Sequence, residues 1–146
     1  MTNVGIIGTG MLGEAVGLHL LNSNHTLTVF NRTRDKTEKL VDAGATLAES
    51  PKEVAENSDL VITVVRDADA VSQVAFGENG IISGKHDGLV VADMSTINPN
   101  SAKEISQKFE SSGVEFLEIP VMGGPNVAID GKLVMMVSGK KNKLTR

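Results

Sequence analysis

The 146-residue sequence predicts an α/β domain, doubly wound around a mostly parallel sheet. Three observations carry that expectation. Short apolar runs rich in Val and Ile alternate with longer stretches of helical spacing, the pattern of strand-helix-strand units whose sheet is covered on both faces. The first run, at residues 4–7, leads directly into Gly8-Thr9-Gly10-Met11-Leu12-Gly13, which opens a helical stretch over 11–21. The length, finally, suits one domain with a sizeable core.

Taken in order, strands are expected at residues 4–7, 27–30, 60–65, 89–92, 115–118 and 133–137, with a short extended piece at 46–47 as a further candidate for the sheet. Helices fit residues 11–21, 34–42, 51–57, 68–76 and 100–112. Ser50 before Pro51 has the form of a capping residue followed by proline in the first turn. Gly44 and Gly113 fall where helices commonly end. No repeat, low-complexity segment or linker interrupts the series. The basic stretch at 140–146 reads as a solvated terminus, and no periodic helix follows the last strand.

The glycine turn carries the chemistry. Between a strand and a helix, the first glycine permits a tight turn, the second lets a pyrophosphate approach bare backbone, and the third allows helix and strand to pack closely. The phosphates would sit at the helix N-terminus, where unpaired N–H groups and the helix dipole favour negative charge. A glycine turn that binds nothing is the alternative.

The end of the second strand bears on which dinucleotide would bind. An acidic residue there would bind the ribose 2′-hydroxyl of NAD and repel the 2′-phosphate of NADP. The sequence instead reads Phe30-Asn31-Arg32-Thr33-Arg34. Asn31 is neutral, Arg32 offers a planar fork suited to phosphate, and Thr33 and Lys36 add donors. NADP is therefore expected, against the plainer reading of a basic loop capping the next helix.

Composition excludes several other classes. There is no cysteine, hence no disulfide, thiolate metal site or cysteine nucleophile. A net charge of −4, with no Trp or Tyr and four Phe, argues against a nucleic-acid partner. No apolar run approaches the ~20 residues of a membrane span, and the start lacks a basic, signal-like segment, so a cytoplasmic protein is expected. His19, His25 and His86 are scattered without metal-ligand spacing, no metal-binding carboxylate pattern occurs, and no G-x-S-x-G elbow supports a hydrolase. Met135 and Met136 read as core filler in the last strand.

Three further segments act together: Asp93-Met94-Ser95-Thr96-Ile97-Asn98-Pro99, Pro120-Val121-Met122-Gly123-Gly124-Pro125, and Asp130-Gly131-Lys132-Leu133 leading to Met135-Met136-Val137-Ser138-Gly139. With the glycine turn and Asn31-Arg32-Thr33, the chain resembles the N-terminal domain of the β-hydroxyacid dehydrogenase family along essentially its whole length. That resemblance implies a Rossmann-type domain in which Gly8, Thr9, Gly10, Met11, Leu12 and Gly13 line the pyrophosphate. It places Asn31, Arg32 and Thr33 at the adenosine ribose and its phosphate. Val65 and Arg66 fall in a loop beside the cofactor, where Arg66 and Asp67 replace an apolar and a proline position of the family. Thr96 corresponds to the residue approaching the nicotinamide end, although a Ser-Thr pair before a helix is also an ordinary cap.

Two departures limit the functional expectation. Met122 stands where the family carries a serine whose hydroxyl, with the following glycine amides, holds the substrate carboxylate. Gly123 and Gly124 keep their N–H groups as an anion nest. Met122 then either alters substrate preference or simply fills the loop core. The helical second domain that carries the family's catalytic lysine is also absent, and Lys140, Lys141 and Lys143 lie outside that motif, so no catalytic residue is assigned. The chain is expected to be the NADP-binding domain, truncated or excised, of an oxidoreductase acting on a small 3-hydroxyacid or its semialdehyde. Exposed apolar surface and a homodimer are expected of such a domain. The competing readings are the nucleotide-binding half of an imine-reductase-like enzyme and a non-catalytic NADP-binding module.

Overall fold

The computed structural model describes residues 2–122 and 124–135. Gly123, the last two positions of the strand expected at 133–137 and the basic stretch at 140–146 lie outside the described residues. The large sheet is built from β1 (Asn3–Ile7), β2 (Thr26–Phe30), β3 (Thr46–Leu47), β4 (Leu60–Thr63), β5 (Val90–Asp93) and β6 (Glu115–Glu118). Every pairing is parallel, in the order β3-β2-β1-β4-β5-β6. This is the Rossmann-type α/β arrangement, and the two-residue candidate at 46–47 is its edge strand.

Alternation along each strand divides the core into two layers. Ile7, Val61 and Val91 face the layer closed by α3 (Pro51–Glu56), α4 (Ala68–Phe76) and α5 (Pro99–Ser111). Val4, Ile6, Ile62 and Ala92 face the other, beneath α1 (Met11–Asn22) and α2 (Glu38–Asp42). The first layer centres on Phe109, fully buried, stacked on Phe116 at 4.7 Å and tilted against Phe76 at 4.8 Å. Sequence caps set the helix starts: the side chains of Ser50, Asp67 and Asn98 accept from the backbone N–H of Glu53, Ala70 and Ser101.

Two expectations are corrected. The helix expected at 34–42 is divided: a 3-10 turn at Arg34–Thr37 precedes α2. Thr37 is buried and its hydroxyl donates to the Arg34 carbonyl at 2.6 Å, a local bond that competes with the α ladder. The strand expected at 133–137 starts at Val134 and does not extend the large sheet. Instead β8 (Val134–Met135) pairs antiparallel with β7 (Val121–Met122) in a separate ribbon. Between them α6 (Pro125–Ile129), absent from the sequence reading, turns the chain back over α1. Ala128 is buried there, and His19 Nδ1 lies 3.1 Å from the Ile129 carbonyl oxygen.

Candidate functional site

The strand order reverses direction across β1 and β4, so the turn after β1 lies between the loops that follow β2 and β4. Open α/β sheets bind ligands at such a point, beyond the carboxyl ends of the strands. Gly8 sits at φ +102, a conformation glycine adopts readily, and its N–H donates to the Phe30 carbonyl at 2.9 Å. A Cβ on Gly8 would lie 2.0 Å from the Val64 carbonyl oxygen, and one on Gly13 would lie 1.9 Å from the Gly8 carbonyl oxygen. The fold itself therefore requires both glycines. Gly10 is different: a Cβ there would meet nothing within 4 Å. Its bareness opens a cradle in front of α1, a twelve-residue helix whose N-cap is Gly10 and has no side chain to satisfy the first-turn N–H groups. An anionic pyrophosphate fits that cradle. Met11 is 78% exposed beside it, while Leu12 is half-buried and Gly13 buried.

Asn31 ties the turn to the neighbouring loop. Its Oδ1 accepts from Thr9 N–H at 2.9 Å, and its Nδ2 donates to the Thr33 carbonyl at 2.9 Å. Thr9 is buried, and its Oγ1 has no hydrogen-bond partner among the described residues. Both residues, read from sequence as cofactor contacts, are engaged in ordering the loop.

Next to the cradle lies a cavity of about 340 Å³. Ile7, Phe30, Val64 and Val65 give it an apolar lining. Arg32, Thr33 and Lys36 stand on the β2 side, with Arg66, Ala70 and Gln73 on the β4 side. The cations differ in how they are used. Arg34 is turned towards Glu49 at 3.4 Å, whereas neither Arg32 nor Lys36 has an ion-pair partner among the described residues. Arg66 Nε lies 3.5 Å from Asp67 Oδ2, with both side chains largely exposed, and such a pair contributes little in water. Uncompensated positive charge therefore faces the cavity from Arg32 and Lys36.

The β4 and β5 loops are held by a network the sequence reading did not find. Buried Asp93 Oδ1 accepts from Thr63 Oγ1 at 2.7 Å and from Ser95 N–H at 3.1 Å. Ser95 Oγ in turn accepts from Val65 N–H at 2.9 Å. Burial pushes the Asp93 carboxyl above its ordinary range, outweighing hydrogen bonds from Ser95 and Thr63 that act the other way. Glu118, its register partner on β6, is raised by burial and by the charge of Asp93.

A carboxyl raised on folding contributes stability that is fully present below its unfolded pKa, near 4, and is lost as pH rises through its folded value. Asp93→Asn keeps an acceptor for Thr63 and Ser95 while removing the charge. Its Tm relative to wild type is therefore expected to improve between pH 4 and pH 8. A pH-independent difference would contradict the assignment.

The remaining candidate positions are more open. Thr96 is exposed and outside the cavity lining; Asn98, not the Ser-Thr pair, caps α5. Met122 is 60% exposed on β7, so it does not fill a loop core. Gly124 is the N-cap of α6.

The fold and sequence have known relatives. A family model described as the NAD binding domain of 6-phosphogluconate dehydrogenase matches residues 3–146. A probable 3-hydroxyisobutyrate dehydrogenase-like protein of Arabidopsis thaliana, described as mitochondrial, is 38% identical over 146 residues, 99% of this chain and 44% of the relative. The 3-hydroxyisobutyrate dehydrogenase of Mycobacterium tuberculosis, solved with L-serine, has a TM-score of 0.93 at 25% identity, covering 100% of this chain and 49% of that one. Psf3, solved in complex with NADP+ and 2-OPP, has a TM-score of 0.91 at 30% identity, covering 97% and 50%. The chain thus spans about half the length of these relatives, and among its described residues no helix is long and apolar enough to cross a membrane. From the glycine turn to the residues matched, the chain belongs to the family of NAD-binding domains described from 6-phosphogluconate dehydrogenase.

Proposed function

We propose that the chain binds NADP in preference to NAD, as the nucleotide-binding domain of an oxidoreductase that moves hydride between NADP(H) and a small 3-hydroxyacid or its semialdehyde. The single observation that carries the cofactor choice is the pair of cations, Arg32 and Lys36, without ion-pair partners among the described residues, on a cavity rim that presents neutral Asn31 where an acid would favour NAD. Arg32 and Lys36, with the Thr33 hydroxyl, would hold the 2′-phosphate. Gly8, Gly10 and the first turn of α1 at Met11, Leu12 and Gly13 would hold the pyrophosphate. Val65 and Arg66 would flank the adenosine half, and Thr96 would stand towards the nicotinamide end. When bound, the dinucleotide supplies the hydride donor or acceptor.

Charge-assisted hydrogen bonds to the phosphate are worth roughly 1.5–3 kcal/mol. Arg32→Ala is therefore expected to weaken NADPH binding by about tenfold or more and leave NADH binding unchanged, as titration calorimetry would show. Equal wild-type affinities for the two cofactors, or tighter NADH, would overturn the preference.

For the substrate, the Pro120-Val121-Met122-Gly123-Gly124-Pro125 segment supports a hydroxyacid or semialdehyde over an imine, with the Gly123 and Gly124 amides as the carboxylate nest and Met122 shifting preference towards a less polar side chain. In the longer protein we take the proton-transfer group to come from a second domain. Met122, Val134 (59% exposed) and Ile129 (44%) cluster on the small ribbon and α6, apolar surface suited to such a domain or to a second copy.

A further inference from the structure

One wall of the cavity remains without a role in this reading. Ala70, Gln73 and Val74 occupy a single face of α4, one helical turn apart, and all three line the cavity. Ala70 and Val74 are small and apolar; Gln73 is exposed and carries the wall's one neutral donor-acceptor group. Its amide makes no hydrogen bond among the described residues, in contrast to the Asn31 amide across the cavity, which is engaged at both ends. The Gln73 amide rests beside Gly77, where a Cβ would come within 2.6 Å of Nε2, so the bare glycine is what admits the amide there.

The group that would occupy this space follows from the charges. Arg32 and Lys36 mark where the ribose phosphate sits, and that phosphate belongs to the adenosine half of the dinucleotide. The planar group placed between the apolar lining and α4 is then the base of that half. A purine can bury its faces against Ile7, Val64 and Val74, but its polar edge needs partners.

We propose that Gln73 reads the base of the bound dinucleotide, with Oε1 accepting from the exocyclic amine of adenine and Nε2 donating to the adjacent ring nitrogen. That ring nitrogen is N1: a carboxamide is complementary to the N1/N6 edge in the way that Asn or Gln is complementary to the N6/N7 edge of adenine in nucleic acids. The inference rests on the reading that the adenosine half lies in this cavity.

The test uses the full chain, adenosine 2′,5′-bisphosphate and its 1,N6-etheno derivative, in which the amine and the neighbouring ring nitrogen are blocked. Wild type is expected to bind the adenine ligand about fivefold or more tightly than the etheno ligand. Gln73→Met keeps the bulk and removes the hydrogen bonds. It should lose affinity for the adenine ligand by the same factor, hold its affinity for the etheno ligand, and so equalise the two. An unchanged preference in Gln73→Met, or an equal loss for both ligands, overturns the base reading alone. Failure of wild type to bind adenosine 2′,5′-bisphosphate at all overturns the dinucleotide reading and this inference with it.

Discussion

Gly10→Ala is expected to abolish most cofactor binding while leaving the fold intact, and Gly13→Ala to damage both. The two glycines share one turn but answer to different constraints. At Gly10 the backbone is extended, with φ −68 and ψ −166, and a Cβ meets no atom of the chain within 4 Å. The methyl group would project only into the cradle in front of α1. Forcing one surplus methyl group into a packed contact costs roughly 1–3 kcal/mol, so NADPH affinity should fall about tenfold or more with Tm unchanged. At Gly13 the obstacle is the Gly8 carbonyl oxygen, 1.9 Å away and part of the backbone. Helix α1 must back away from β1, which costs about the same in stability and lowers Tm by roughly 3–10 °C, with binding lost as well. Thermal melts and NADPH titrations on both variants check this. A Gly10→Ala variant that binds as wild type does would remove the pyrophosphate from this turn.

Phe109→Ala is expected to give the largest loss of stability in the chain. Phe109 is fully buried between Phe76 and Phe116, at the centre of the layer that closes α4 and α5 over the sheet. Truncating a buried phenylalanine costs about 3–5 kcal/mol, because transfer free energy is lost and the cavity collapses only in part. Native stabilities lie near 5–15 kcal/mol, so this one change consumes a large share of the total. Urea unfolding should show a clearly lower midpoint at unchanged slope. The ring lies outside the lining of the cavity proposed to hold the nucleotide, so the folded fraction should keep wild-type NADPH affinity. A loss of unfolding free energy below about 1 kcal/mol would mean that the aromatic cluster contributes little.

Local signals made most of the fold legible in the sequence. The apolar strands, the glycine turn, Ser50-Pro51 and the glycines at 44 and 113 each state a conformation within a few residues. What escaped depends on distant partners. Helix α6 is five residues long and exists through its packing on α1, with Ala128 buried there, and β7 and β8 pair only because that helix returns the chain. The site divides along the same line. Gly8, Gly10, Arg32 and Lys36, which line one cavity, are candidates legible from residue type and spacing. The Asp93–Thr63–Ser95–Val65 network was not, because it arises from the parallel register of β4 and β5 across 30 residues of sequence. Gln73 did leave a signal: its spacing with Ala70 and Val74 puts them on one helix face, though nothing local shows that the face looks onto a cavity.

The double engagement of Asn31 has a consequence for any redesign of cofactor choice. The usual route towards NAD places an acid at the end of β2. Here that position also donates to the Thr33 carbonyl, and a carboxylate accepts hydrogen bonds but cannot donate one. An aspartate at 31 would keep the bond from Thr9 and set two oxygens against each other on the far side, loosening the loop that presents Arg32. On the proposed reading, selectivity and preorganisation would be coupled at residue 31 and separable at residue 32, so a change of cofactor choice is better started from the arginine.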